Sequence, residues 1–596
     1  MGPIVGCLLI AALSLPSQAA TSISSFDWDQ VTPSASLNYT PCYQNHKCAR
    51  LLLPLDWLNP ENGANTTVAI IARPAVVSET DPSFGGTIIV NPGGPGASGI
   101  DFLLGAGALI QAMAHGNKKF EILSFDPRGV GRTTPSADCY RNEYARGNGL
   151  IMERAIGTLG AGEAVLKRKL AQAKGFAEMC AKRGRADDVR NFMSTTSVAR
   201  DMAKIVDELH VLRHAHDADQ DQGDTDARVE LRSEKQETSA RLNYWGWSYG
   251  TDLGNYFASM FPGRVERMIL EGVQDVRDYA DGTWLKFGDA EKTFDYFWDA
   301  CYGAGKSCAL YQELDTDAGD ARARFDAFIE EVNQDPPSYV GPDGTIASIM
   351  EEDVMLVIFA ALLQPILTFP SLAETLMEAM AGNFSTLYGQ LGQPSAESCP
   401  LPIPGTFTWT ADARIGIACG DGEPQNNMTL AAYQDYMAGI AADAPNFWPF
   451  MADIRLPCVH WPFRPKDRFK GPWVTPKSDP SRVPGRPTAP LLFISSRYDL
   501  LTPPSRAVEM SRFHPGSTVL VQENYGHGTI ATPSKCRDDH VKKYFDAGEV
   551  PPDGAVCDSD CVPFHDCPGD ADVKKAWLGH AEYSVADRRL PPSGWF

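Results

Sequence analysis

The stretch that decides the fold is Leu-Asn-Tyr-Trp-Gly-Trp-Ser-Tyr-Gly at residues 242–250. Its first four residues are mostly apolar and predict a buried strand, which runs into a Gly-x-Ser-x-Gly turn and then a helix. Gly246 and Gly250 would let the strand and the helix pass close together, and Ser248 would hold a strained position that lifts its hydroxyl out of the sheet. Because a chain with 52 glycines produces such motifs by chance, the sequence on either side has to support Ser248 as a candidate nucleophile.

Further strands are predicted from short apolar runs rich in β-branched residues, which are typical of parallel strands buried on both faces. They lie at residues 87–90, 121–125, 268–272, 490–496 and 518–521. Helical patterns at 153–182 and 196–213 alternate with them. This alternation predicts an α/β fold with a mostly parallel, doubly wound sheet.

Residues 273–488 have few strand patterns and are predicted to form a large, mainly helical cap inserted after the half of the core that carries Ser248. The remaining boundaries follow from this insertion. We expect a signal peptide at 1–20, the N-terminal part of the core at 21–272, and its C-terminal part with a disulfide-rich tail at 489–596. The polar, acid-rich segment 215–239 is predicted to be a disordered surface loop.

The first twenty residues read as a secretory signal because an apolar run is followed by small residues suited to cleavage. A membrane anchor is the alternative, but the run is shorter than the ~20 residues that a membrane span needs. The expected location is therefore extracellular. Sequons that would carry glycans on surface loops are present at Asn38, Asn65, Asn383 and Asn427.

The cysteine content agrees with export. Of fourteen cysteines, Cys7 would leave with the signal, so an odd number remains and Cys399 is the candidate for the unpaired one. Spacing predicts the bridges Cys42–Cys48, Cys139–Cys180, Cys301–Cys308 and Cys419–Cys458. The tail cysteines, whose pairing stays open and for which a zinc site is the alternative, are Cys536, Cys557, Cys561 and Cys567.

Two more polar residues follow the last two predicted strands: Asp499 comes soon after Ser495, and His527 lies between two glycines. A serine hydroxyl needs a base within hydrogen-bond reach and a carboxylate that orients the base. Ser248, Asp499 and His527 each follow a strand, so we expect them to meet at one edge of the sheet as a catalytic triad. The alternatives are a helix-capping aspartate, a turn histidine, and Glu271 as the acid.

Backbone amides near Ser248 are candidates for stabilising negative charge on a substrate oxygen. The N–H of Tyr249 follows the serine directly, and a second N–H would come from the glycine-rich run 91–99, with Gly94 as first choice and Gly93 next. A phosphate-binding loop is the alternative for that run, although no Gly-Lys-Ser/Thr follows it.

These motifs together resemble the secreted tripeptidyl-aminopeptidase and proline-iminopeptidase family of α/β-hydrolases. The matching stretches are Asn-Pro-Gly-Gly-Pro-Gly at 91–96, Asp-Pro-Arg-Gly-Val-Gly at 126–131, Gly-Trp-Ser-Tyr-Gly-Thr at 246–251, Arg-Tyr-Asp at 497–499 and Gly-His-Gly at 526–528. The resemblance extends from about residue 28 to residue 564 and implies the α/β-hydrolase fold. The chain departs from the family in the insertion 215–239 and in Glu271, where the family often has aspartate.

The resemblance implies a secreted serine aminopeptidase that releases single residues or short peptides, such as tripeptides, through an acyl-enzyme. Carboxylates would recognise the substrate ammonium, with Glu271 and Glu352 as candidates, although acids such as 351–353 also complement a helix N-terminus. An ester hydrolase on the same fold is the alternative, and a non-catalytic binding protein is a third hypothesis.

The expected partner is a peptide or a small ester. The net charge of −22 disfavours nucleic acid and anionic membranes, which repel an acidic surface. Neither a metal nor an organic cofactor is indicated. A monomer is compatible with the sequence, which leaves the oligomeric state open.

Overall fold

The computed structural model describes residues 26–184, 187–218, 240–284, 287–342, 344, 346–391, 410–530, 532–565 and 567. The predicted signal peptide and Cys399 lie outside this part of the chain, as do residues 219–239 of the predicted loop. Residues 215–218 of that loop belong to a helix that runs on to Ala218. The helix is therefore longer than the apolar pattern ending near Arg213 indicated.

One sheet of ten strands organises the described residues. Its strands are β1 (Thr40–Cys42), β2 (His46–Pro54), β3 (Asn65–Arg73), β4 (Phe84–Asn91), β5 (Lys119–Phe125), β6 (Leu242–Trp247), β7 (Val265–Glu271), β10 (Leu492–Tyr498), β11 (Thr518–Tyr525) and β12 (Ala555–Asp558). A separate antiparallel hairpin contains β8 (Ser338–Val340) and β9 (Ile346–Ser348).

The strand order across the sheet is β1-β2-β3-β5-β4-β6-β7-β10-β11-β12. From β5 to β12 every neighbouring pair is parallel, whereas β1, β2 and β3 form an antiparallel edge. Parallel neighbours end at the same edge, so the loops after β4, β6, β7, β10 and β11 lie close together. The predicted mostly parallel sheet is confirmed.

Helices cover both faces of the sheet. The helices of the described chain, both those on the sheet and those of the cap, are α1 (Gly99–Ala114), α2 (Glu143–Ile156), α3 (Glu163–Arg183), α4 (Thr195–Ala218), α5 (Tyr249–Met260), α6 (Val276–Asp281), α7 (Ala290–Ala304), α8 (Ala318–Gln334), α9 (Glu351–Leu362), α10 (Pro365–Met380), α11 (Ser385–Gln390), α12 (Thr410–Asp421), α13 (Leu430–Asp443), α14 (Trp448–Asp453), α15 (Pro504–Ser511) and α16 (Lys535–Ala547). One apolar cluster packs α4, α5 and α15 on the sheet, and another packs α1 and α16 on it. The sheet is thus doubly wound, as predicted.

A third apolar cluster forms the core of the cap, with helices α7 to α11, α13 and α14 contributing most of its side chains. Leu159, Leu166 and Ala173, which precede Ser248 in the chain, belong to the same cluster. Conversely, Phe469 and Trp473, which lie in the segment expected to be cap, pack on the sheet-side cluster instead. The cap is therefore built from chain on both sides of the nucleophile strand.

Within the described ranges, six disulfides tie loops and helices together. The four bridges predicted from spacing are present, and the tail pairs as Cys536–Cys557 and Cys561–Cys567. The tail pairing could not be read from the sequence because it depends on β12 lying beside β11, which brings Cys557 to the helix that carries Cys536. In the described ranges, no helix is both long and apolar enough to cross a bilayer.

Candidate active site

Ser248 occupies the turn between β6 and α5 with φ 53° and ψ −126°, a conformation that is strained for any residue with a side chain. Its amide donates to the carbonyl of Glu271 at 3.0 Å, and its carbonyl accepts from the amide of Thr251 at 2.8 Å. These bonds fix the turn between the neighbouring strand end and the first turn of α5. The strain predicted for Ser248 is therefore present and is held by the surrounding backbone.

The two glycines of the motif are required by close approach. A Cβ on Gly246 would lie 2.4 Å from the carbonyl oxygen of Gly250, and a Cβ on Gly250 would lie 2.7 Å from the carbonyl oxygen of Asn91. Neither position has room for a side chain, because real Cβ atoms do not approach other atoms so closely. Small residues at both positions allow β4, β6 and α5 to converge beneath Ser248.

Asp499 follows β10 and is completely buried. Its carboxylate accepts hydrogen bonds from the amides of Leu501, Thr502 and Gly528, at 2.9, 2.8 and 2.8 Å. It also contacts Nδ1 of His527, at 2.9 Å through one oxygen and 3.1 Å through the other. Burial alone would raise the pKa of Asp499, but the charge on His527 and these hydrogen bonds outweigh it and lower the pKa.

His527 follows β11, and 19 % of its side chain is exposed. Burial by itself would lower the pKa of the imidazole, but the charge and hydrogen bond of Asp499, together with the charge of Glu271, raise it above 6.5. With Nδ1 directed at Asp499, Nε2 is the ring nitrogen left to act in the cavity. The structure therefore brings Asp499 and His527 together as an oriented pair.

Ser248 and His527 line one cavity of about 400 Å³. The imidazole lies beside the end of β7, the strand next to β6, because Cε1 of His527 is 3.4 Å from the position that a Cβ on Gly272 would take. The hydrogen bonds among the described residues do not include one between the Ser248 hydroxyl and His527. Such bonds are often long in an enzyme without substrate and shorten when the reacting complex forms.

The proposed backbone donors lie next to Ser248. Tyr249 is the first residue of α5, where amides have no partner within the helix, and Gly94 lines the cavity. The Gly93 amide instead donates to the Asn91 side chain at 3.0 Å. A Cβ on Gly93 would lie 2.8 Å from Cβ of Ser248. Gly93 thus allows the loop to approach the serine, whereas the Gly94 amide is better placed to meet a ligand.

The cap supplies part of the cavity wall and also contacts the loops that carry the pair. Leu363, Gln364, Arg414, Ala418 and Ile454 line the cavity from the cap side. The backbone amide of Asp289 donates to the carbonyl of Asp499 at 3.0 Å. These contacts make the described cap an integral wall of the cavity.

The two carboxylates expected to bind an amine have different positions. Glu271 lines the cavity, is completely buried, and accepts hydrogen bonds from the Thr529 amide and hydroxyl at 2.7 and 2.8 Å and from Trp245 Nε1 at 3.0 Å. Glu352 lies in the first turn of α9, does not line this cavity, and accepts from the Thr158 hydroxyl at 3.1 Å. The structure therefore brings Glu271, but not Glu352, to Ser248.

Several cavity residues were not identified from the sequence. Their signal is weak because each lies in a segment whose position depends on packing. They are Asp275 and Asp278 around α6, Arg506 of α15, and Arg414 of α12. Arg506 contacts both Asp275 and Asp278, at 3.4 and 3.1 Å, so its charge is paired with two carboxylates. Among the described residues, no carboxylate pairs with Arg414 in this way.

A zinc site is the alternative for the tail cysteines, and three potential ligands do lie close together in the described tail. Cys536, His540 and Cys557 place potential ligand atoms within 4.8 Å of one another. Two of the three atoms are the sulfurs of one disulfide, and a disulfide sulfur does not have the thiolate charge that zinc ligation needs. The described residues therefore do not fit a zinc ion at this place while the bridge is formed.

Comparison with known proteins adds independent observations. A model of the alpha/beta hydrolase fold matches residues 86–307, and a model of TAP-like proteins matches residues 444–557. Serine protease Hip1 of Mycobacterium tuberculosis is 26% identical over 538 residues, which cover 87% of this chain and 91% of that protein. Tripeptidyl aminopeptidase of Streptomyces coelicolor is 25% identical over 543 residues, covering 87% and 84%. Carboxylesterase B of M. tuberculosis is 39% identical over 95 residues, 16% of each chain.

Proposed function

Because this chain belongs to the α/β-hydrolases and resembles their tripeptidyl-aminopeptidase members, we propose that it is a secreted serine aminopeptidase acting on short peptides. One observation carries the proposal: an Asp499–His527 hydrogen bond of 2.9 Å stands beside a strained Ser248 in a single cavity. This combination supplies a nucleophile, a base, and a carboxylate that orients the base.

In the proposed mechanism Ser248 attacks the carbonyl carbon of the scissile bond while Nε2 of His527 accepts the hydroxyl proton. Asp499 keeps the proton on Nδ1 and stabilises the imidazolium that forms. The amides of Tyr249 and Gly94 stabilise the negative charge on the substrate oxygen. The imidazolium then protonates the leaving amine, and water hydrolyses the acyl-enzyme by the same steps in reverse order.

Glu271 is the carboxylate that we assign to the substrate ammonium, since it lines the cavity close to Gly528 in the loop of His527. Its two oxygens already accept three hydrogen bonds and have lone pairs left for one more donor. Glu352 does not line the cavity in the described structure and is not assigned to the ammonium. A cavity of about 400 Å³ suits a short peptide segment rather than a folded protein.

Export is supported by features of the described surface. All four sequon asparagines are exposed, so glycans could be attached without disturbing the fold. Six disulfides are typical of an oxidising compartment. Glycosidase treatment of the protein recovered from culture medium, followed by mass measurement, tests both secretion and glycosylation. Unmodified protein that stays inside the cell would contradict this part of the proposal.

The central test is the Ser248→Ala variant assayed on peptide amides with a free and an acetylated amino terminus. We expect the substitution to lower kcat by at least about a thousandfold and to abolish labelling by a fluorophosphonate. Ser511→Ala, which removes a hydroxyl bonded within its own helix, is the control and should keep full activity. A wild-type enzyme that ignores acetylation of the amine would be an esterase or endopeptidase instead.

An ester hydrolase is the second candidate, favoured by the local similarity to carboxylesterase B. The same assay separates the two, because an esterase would prefer small esters to peptide amides at equal concentration. A non-catalytic binding protein would not react with the fluorophosphonate and would hydrolyse neither the esters nor the peptide amides. Labelling of the wild type at Ser248 therefore excludes the third hypothesis.

A further inference from the structure

Arg414 is an arginine in the cap that lines the same cavity as Ser248. It lies in α12, and Ala418, one turn further along this helix, also lines the cavity. Ile454, at the end of α14, completes this part of the wall. A substrate held between the sheet and the cap would therefore meet a guanidinium on the cap side.

The guanidinium of Arg414 has few hydrogen bonds for a group that is so buried. The residue is 9% exposed, and its one hydrogen bond in the described structure is from Nη1 to the carbonyl of Ile454, at the long distance of 3.5 Å. Nε is buried and has no partner. Over the described ranges, no carboxylate oxygen lies within 4.0 Å of its nitrogens, whereas Arg506 in the same cavity pairs with two aspartates.

Burial lowers the pKa of Arg414 to about 10, against the opposing influence of Asp453 and Glu153, so the group is still charged at neutral pH. A buried charge without a partner is costly, and a guanidinium has five N–H donors to satisfy. An anion entering the cavity would complete this site. Because guanidinium and carboxylate match in shape and form two parallel hydrogen bonds, a carboxylate is the ligand that fits best.

The carboxylates of the protein that line the cavity are already engaged. Asp275 and Asp278 pair with Arg506, and Asp275 also accepts from Arg277 at 2.7 Å. Glu271 accepts from Trp245 and Thr529. Within the described residues no carboxylate pairs with Arg414, and a carboxylate of the substrate would supply that partner.

We propose that Arg414 binds a carboxylate of the substrate and makes the enzyme selective for short peptides that carry one. The proposal rests on the proposed aminopeptidase function and adds the class of substrate that the enzyme prefers. The carboxylate has two sources: the C-terminus of a short peptide or an acidic side chain. Both present the same chemistry to the guanidinium, and matched substrates distinguish them.

The experiment compares kcat/KM for tripeptides as free acids and as C-terminal amides, and for tripeptide p-nitroanilides with glutamate or glutamine at each position. We expect the wild type to prefer one carboxylate-bearing set. In Arg414→Met the acid-to-neutral ratio should fall about ten- to a hundredfold, the range expected for a lost charged hydrogen-bond pair, and Arg414→Lys should retain part of it. The substrate set whose acid preference is lost in Arg414→Met identifies the source of the carboxylate, either the C-terminus or an acidic side chain.

Arg455→Met is the matched control. Arg455 is also 9% exposed and its pKa is also lowered by burial, but it binds Gln425 at 2.6 Å and does not line the cavity. Its variant should keep the wild-type ratio. A wild type without any acid preference, or an equal ratio in Arg414→Met and wild type, would overturn the proposal.

Calorimetry separates this proposal from the proposed function. Ser248→Ala should bind the preferred acid more tightly than its neutral counterpart, and the double variant with Arg414→Met should lose that difference. If no peptide is hydrolysed but this binding difference is found, the peptidase proposal fails and the carboxylate site stands. Equal binding of the acid and the neutral ligand by Ser248→Ala would contradict the carboxylate site, whichever reaction the enzyme catalyses.

Discussion

The backbone amide of His527 donates a hydrogen bond of 2.9 Å to the carbonyl of Leu363, which joins the loop of the imidazole to the cap between α9 and α10. The neighbouring Gly526 contacts the same junction. A cap movement would therefore shift the base as well as the cavity wall. Under the proposed role of His527 as the base, this coupling makes the cap part of the catalytic geometry.

Gly526→Ala tests that coupling. Gly526 has φ +104°, and a Cβ there would lie 2.6 Å from Cδ of Pro365 and 2.7 Å from the carbonyl oxygen of Leu363. We expect the free energy of unfolding to fall by about 1–3 kcal/mol and kcat to fall with it. Chemical denaturation and steady-state kinetics measure the two effects. Gly554→Ala, at φ +73° with nothing within 4 Å, is the control for backbone strain alone.

If Gly526→Ala is no worse than Gly554→Ala in both measurements, the cap does not constrain the loop of His527. A loss of stability without a loss of kcat would mean that the junction supports folding but not the position of the base.

On the acid side of its pH profile, kcat/KM should fall as His527 becomes protonated. Asp499 and Glu271 raise the pKa of the imidazole in spite of its burial, so it stays protonated, and unable to accept the serine proton, up to a higher pH than a free histidine. The midpoint of kcat/KM on the acid side should therefore lie above about 6.5. A pH profile on a peptide amide whose free amine stays protonated across the acid limb checks this. A flat profile, or a midpoint well below that value, would contradict the role of His527 as the base.

Glu271→Gln should move this limb to lower pH, because removing a negative charge near the imidazole removes one of the influences that raise its pKa. The same variant should raise KM for substrates with a free amine more than for acetylated ones. Glu523→Gln is the control, since Glu523 is partly exposed and pairs with Arg497 at 2.6 Å. An unchanged acid limb in Glu271→Gln would show that this carboxylate does not act on His527.

The bridge Cys536–Cys557 should contribute strongly to stability because it joins α16 to the edge strand β12 across a sequence separation of 21 residues. Replacing both cysteines by alanine should lower the free energy of unfolding by about 2–4 kcal/mol, and more than the same change at Cys301–Cys308, where the separation is 7. Thermal denaturation distinguishes a disulfide from a metal site, because a reductant breaks the disulfide and a chelator removes the metal. Destabilisation by the chelator would support the zinc alternative.

Sequence alone indicates candidate site residues where the determinants are local. The turn at Ser248 requires glycines within two residues on either side, and Asp499 and His527 each follow a short apolar strand, so residue type and chain order indicate all three. The parallel sheet then brings the strand ends to one edge. The same logic indicated Glu271, which ends β7 and lines the cavity.

Sequence reasoning fails where a position depends on packing between distant segments. Glu352 is a sequence candidate because it lies where an apolar helix begins, but its carboxylate contacts Thr158 and does not line the cavity. The sequence does not single out Arg414, because one arginine among the apolar residues of α12 gives no indication of what it faces. Only the folded arrangement of α12 and α14 shows that it lines the cavity of Ser248.

The divided origin of the cap affects how this protein could be re-engineered. Side chains from the region of α3, ahead of the nucleophile, share an apolar cluster with helices that follow it. Grafting the later helices alone onto a homologous scaffold would expose Leu166 and Ala173 to mismatched neighbours. A functional chimera therefore has to exchange both stretches of polypeptide at once, with two pairs of crossover points instead of one.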